Sequence, residues 1–125
     1  MKKLIILISL FFVSTFCHAQ EWEKVYSINF IKLVRGEWVD EKSHQAENTF
    51  IMLNGSEVII KANEINRYMT YGDMETNKYS SHTAYSWKCL DKEGDECLFV
   101  MKSFTDRTKI YMIVYKYFGV EFYIK

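Results

Sequence analysis

The sequence predicts a mainly β protein: an antiparallel meander of about seven or eight strands closing as a barrel or sandwich, with one N-terminal helix. Three observations predict it. Apolar and polar residues alternate with period two through much of the chain after Gly36. The turn signals Asn54-Gly55 and Lys92-Glu93-Gly94 sit between such runs. Aromatic residues make up 17% of the chain and proline is absent, a composition suited to pleated, half-buried surfaces. A meander of this length closes on itself or folds over, because open edges invite aggregation. The alternative is α+β, with one helix packed on an open antiparallel sheet.

Taken in order, Met1-Lys2-Lys3 and the apolar run 4–13 form a basic and a hydrophobic region, followed by Cys17-His18-Ala19 with small residues where a signal peptidase cuts. Residues 1–19 read as a cleaved signal peptide, and 20–125 as a single β-rich domain, secreted or periplasmic. A lipoprotein reading would acylate Cys17, against the bulk of Phe16 before it. Losing Lys2 and Lys3 leaves 14 basic residues against 16 acidic ones. That balance gives no reason to expect a nucleic-acid partner. No stable membrane insertion is expected once the signal is removed.

Residues 21–34 carry a helical period: Trp22, Val25, Tyr26, Phe30, Leu33 and Val34 share one face, with acids at the start and bases at the end. Ile28 and Ile31 fall off that stripe, which leaves an extended reading open. Asn54-Gly55 then predicts a two-residue hairpin. Its register puts Leu53 opposite Ser56 and Ile51 opposite Val58, with Thr49, Ile51, Leu53, Val58, Ile60 and Ala62 on the core face. Within 64–78 a short strand at 67–71 and a loop at 72–78 are the best reading.

The run 83–104 is the most legible. Thr83, Tyr85, Trp87 and Cys89 share one face, and the return strand starts at Cys97. A three-residue loop Lys92-Glu93-Gly94, with glycine in the left-handed position, sets Asp91 opposite Asp95 and Cys89 opposite Cys97. Opposed cysteines, the only pair left after signal removal, predict a Cys89–Cys97 disulfide. A loop at 105–108, a long strand over 109–118, a turn at Gly119 and a last strand over 120–124 complete the chain.

A helix followed by Gly36-x-Trp38 entering the first strand resembles the opening of lipocalins and other calycin barrels. That resemblance implies a calycin-like barrel with Trp38 as the plug at one end and an interior that binds a small apolar molecule. The open alternative resembles the cystatin-like arrangement, and small secreted inhibitors share the barrel outline.

No catalytic residue, metal ligand set or cofactor motif stands out. His44 and His82 lie at no metal-binding spacing. Ser80-Ser81-His82 lacks the glycines of a nucleophile elbow, and no glycine-rich phosphate loop exists. A non-catalytic protein is expected. The first functional expectation is a lipocalin-like binding protein for a small apolar or amphipathic ligand, held by the aromatic face Tyr85, Trp87, Phe99 and Tyr111. The second is a protein–protein interaction module such as an inhibitor, with a packed interior and an exposed patch at Phe50, Tyr115 and Tyr117.

Overall fold

The computed structural model describes residues 22–124; the expected signal peptide over 1–19 lies outside the described residues. Ten strands run in order: β1 (Glu23–Lys24), β2 (Ser27–Val34), β3 (Glu37–Gln45), β4 (Phe50–Asn54), β5 (Glu57–Lys61), β6 (Ile65–Lys78), β7 (His82–Leu90), β8 (Glu96–Phe104), β9 (Lys109–Val114) and β10 (Phe118–Ile124). They form one antiparallel sheet in the order β1-β4-β5-β6-β7-β8-β9-β10-β2-β3, curled into a half-barrel.

Two expectations are corrected. The first is the N-terminal helix. Residues 23–24 and 27–34 are strand, joined through Val25 and Tyr26, and the described residues contain no helix. The β-branched Val25, Ile28, Ile31 and Val34 are restricted at χ1 in a helix and pack well on a pleat. Ile28 and Ile31, which spoil the helical stripe, point to opposite sides of a strand that has partners on both edges.

The second correction is closure. The N-terminal segment touches both ends of the meander: the Val25 N–H donates to Thr49 O and the Tyr26 N–H to Tyr123 O, each at 2.9 Å. Only Glu23 and Lys24 pair with β4 before the chain swings to β10. The ladder along the rest of β4 is not continued, so the sheet is not a closed barrel.

The inside of the curl is the core. Val25, Ile51, Val58, Cys89, Phe99, Tyr111, Ile113 and Phe122 are buried there in one cluster. The β4–β5 turn is Gly55-Ser56 rather than Asn54-Gly55, with Asn54 opposite Glu57 and Leu53 opposite Val58. Gly55, at φ +54°, takes the first loop position. The slip keeps the parity of both strands, so most of the predicted core face survives it: Thr49, Ile51, Val58 and Ile60 are buried and Leu53 half-buried, whereas Ala62, beyond the end of β5, is exposed.

Residues 72–78 are strand rather than loop. β6 runs fourteen residues with a bulge between Tyr71 and Glu75, where Gly72 has φ +75°. The β9–β10 turn lies at Lys116-Tyr117, closed by the Tyr115 N–H to Phe118 O at 2.8 Å, so Gly119 sits inside β10.

The β7–β8 hairpin has the predicted register from His82–Phe104 to Leu90–Glu96, with Cys89 directly opposite Cys97 and Gly94 at φ +85°. The expected disulfide is not formed; both cysteines are buried free thiols. The Asp91 N–H donates to Asp95 O at 3.0 Å, so hydrogen-bonded pairs fall at 91/95 and, two residues along, at 89/97. In the 89/97 pair the two thiols meet in a hydrogen bond and not a covalent link. The Cys89 Sγ also lies 3.6 Å from the Trp87 carbonyl. Hydrogen bonding to Cys89, together with burial, pushes the Cys97 thiol up.

Candidate functional site

The four aromatic residues expected to line a ligand site do share the inner face. Tyr85 pairs with Met101, Met101 with Tyr111, and Trp87 with Phe99. Trp87, Phe99 and Tyr111 pack on one another rather than around a space. Ring centroids lie 5.6 Å apart for Trp87–Phe99 and again for Phe99–Tyr111, and Phe99 is 0% exposed. The Tyr111 hydroxyl donates to Glu23 Oε1 at 2.8 Å, tying β9 to β1. Burial, reinforced by Glu23, pushes the Tyr111 phenol up.

Trp38, expected to plug a barrel end, stands on the edge strand β3, 44% exposed. His44 stacks on Phe30, while His82 lies against both Tyr79 and Phe104. They belong to separate strands, β3 and β7, and among the described residues no group of His, Cys, Asp or Glu could hold a metal ion.

The recessed surface lies on the other side of the sheet. Three cross-strand rows build it: Lys102–Ile110–Tyr123–Ser27, Val100–Met112–Glu121–Asn29 and Leu98–Val114–Gly119–Ile31. A cavity of about 410 Å³ opens at the first row, walled mainly by Tyr26, Phe104, Ile110, Tyr123 and Ile124, and is predominantly apolar. A second, polar cavity of about 380 Å³ shares Ser27 and Tyr123 with it and reaches Asn29, Asp40 and Ser43. A third, of about 300 Å³, lies beyond Asp40 among Ile31, Trp38, Met112 and Val114. Ser27 and Tyr123 join the first two and Asp40 joins the second to the third, so they make one outer-face groove with its apolar pocket at the Phe104–Ile110 end and a mixed lining, including Lys102 and Glu121, at the other.

A polar network occupies its middle. Asn29 is only 7% exposed, and its Nδ2 donates to Asp40 Oδ1 at 2.8 Å and to Glu121 Oε1 at 2.7 Å. The Tyr123 hydroxyl also donates to Glu121 Oε1, at 3.3 Å. Burial first, and then Glu121, pushes the Tyr123 phenol up. These hydrogen bonds fix the shape and polarity of the middle of the groove.

Sequence reasoning did not find this groove. Assigning 21–34 to a helix hid the fact that Asn29 lies on a strand between Glu121 and Ser43. The signal available was the alternation Glu121, Tyr123 against Val120, Phe122, Ile124, which places the former pair on the face away from the core.

A second polar cluster holds the β7–β8 tip. Asp91 Oδ1 accepts from the Glu93 and Asp95 N–H groups, both at 2.9 Å, while Oδ2 accepts from the Tyr115 hydroxyl at 2.7 Å. The Tyr115 hydrogen bond, supported by the backbone donors, holds the Asp91 carboxyl below its usual range. A depressed folded pKa stabilises the tip above the unfolded aspartate value of about 3.9, and that contribution is lost as pH falls through the lower folded value. Amide exchange at Glu93 and Asp95 is therefore expected to quicken in acid before the sheet unfolds. In Asp91→Asn this pH dependence disappears; its persistence there would place the titrating group elsewhere.

Comparison of the chain with protein-family models, curated proteins and solved structures finds no match.

Proposed function

We propose that this chain is a non-catalytic, exported binding protein for a small apolar or amphipathic molecule, lipocalin-like in role. Its site is the outer-face groove rather than the inside of the sheet. The observation that carries the reading is the apolar cavity of about 410 Å³ beside Ile110 and Phe104. Its size falls in the range of small-molecule sites, and a few polar groups adjoin a largely apolar wall, as such sites require. The interior offers less, because Trp87, Phe99 and Tyr111 fill it by stacking. Export is supported by the residue pattern of 1–19.

Native mass spectrometry of the protein purified from its own host tests this reading. A small mass lost on denaturation is expected, absent from the Ile110→Gln variant. A wild-type chain that arrives bare counts against a carrier.

One observation favours the second reading, an interaction module for another protein. At the β9–β10 turn Tyr117 is 63% exposed and Phe118 52%, with Phe118 stacked on Tyr115 at 4.7 Å. Exposed aromatic residues on a tight turn form a compact anchor of the kind found at interface centres. Phe50, expected to join that patch, is half-buried on β4.

A further inference from the structure

We infer that the molecule held on the outer face is an amphipathic cation. Its apolar body lies against Phe104 and Ile110, and an ammonium or similar cationic head is set against Asp40 and Glu121. The inference rests on the proposed small-molecule binding at this groove and specifies the ligand's charge.

Continuity is the first support. The apolar and polar cavities share Ser27 and Tyr123, so an elongated molecule passes from one to the other without leaving the surface. Charge is the second. Asn29 uses both amide protons, one on each carboxylate, and so holds two negative groups within reach of one nitrogen. A cationic head placed beside Asn29 therefore reaches both carboxylates at once. Neither carboxylate has a cationic partner among the described residues, whose ion pairs are Arg67–Glu57 and Lys109–Glu23. Lys42 and Lys102 line the same depressions without pairing to either acid. A head group carrying N–H donors completes what Asn29 leaves unfilled, since an ionised carboxylate accepts several hydrogen bonds.

The test is calorimetric titration of the mature chain at low salt with three probes of equal chain length: n-octylammonium, n-octanol and n-octyl sulfate, each below its aggregation threshold. Octylammonium is expected to bind at least ten times more tightly than octanol, with octyl sulfate weakest. The Asp40→Asn/Glu121→Gln double variant keeps acceptors for Asn29, so it should lose the preference for the cation over octanol. Octanol binding without a cation preference, or a preference that survives in the variant, overturns the inference and leaves the apolar site standing. Failure of wild-type protein to bind octanol removes the site and the inference together.

Discussion

Replacing Phe99 by alanine is expected to lower the unfolding free energy by about 3–5 kcal/mol. Phe99 is fully buried near the middle of β8, between the Trp87 ring on β7 and the Tyr111 ring on β9. Truncation removes the largest fully buried side chain and leaves a void whose walls belong to three hydrogen-bonded strands. Such walls cannot collapse inward without breaking ladders, so the cavity penalty adds to the lost transfer free energy. Typical domains are stable by about 5–15 kcal/mol in total, so the variant sits near the threshold of folding. Urea titration monitored by tryptophan fluorescence reads the change directly. A loss below about 1 kcal/mol, the median scale for arbitrary substitutions, would show that the inner face is not packed as described.

Gly119→Val is expected to cost about 1–3 kcal/mol by overpacking, with Gly119→Ala at the lower end. A Cβ at this position would lie 3.1 Å from the Ile113 carbonyl oxygen and 3.2 Å from Ile31 Cγ1. The Ile31 side chain is able to turn away; the Ile113 oxygen is part of the backbone of β9, which pairs with β10 through six residue pairs. The glycine is thus explained by close approach rather than by a turn. Thermal or urea unfolding checks the loss, and an Ile31→Ala background should recover part of it, since the two sites are in contact. A stabilising Gly119→Ala would refute the packing account, because removing a glycine from a strand otherwise tends to help.

These two positions also mark what was legible in the sequence. The Phe99 environment was readable because the 83–104 hairpin is locally determined: a glycine loop fixes the register, and alternation assigns the faces. The β4–β5 face was readable for the same reason, although the turn itself lies one residue further along. Gly119 was misread because a glycine between apolar runs signals a turn as readily as a strand packed against a bulky neighbour. Residues 23–34 were misread because a short apolar segment fits both periods. The deciding factor is a partner strand some ninety residues away, which no local pattern contains. The outer-face groove inherits that limit. Asn29, Asp40 and Glu121 come from three strands, and only the pairing of β2 with β10 and β3 brings them together. Ring stacking hid the reverse case: four aromatic residues on one face look like a pocket lining until the mutual contacts of Trp87, Phe99 and Tyr111 show that these three fill it.

The route of the N-terminal segment also bears on the order in which the molecule can assemble. β2 lies between β3 and β10, and its pairing from Ser27–Tyr123 to Lys32–Phe118 joins the two ends of the chain. The hairpins from β4 to β10 close over short loops and can form as they emerge, whereas β2 must wait for the last strand to exist. Until then only the charged, bulged β3 accompanies it, and Ile28, Phe30 and Ile31 are left without their inner neighbour. Loop closure over nearly the whole chain is entropically slow, so docking of the β2–β3 hairpin is a late step in folding. The sheet is thereby kept from completing until β10 has been made and can receive β2.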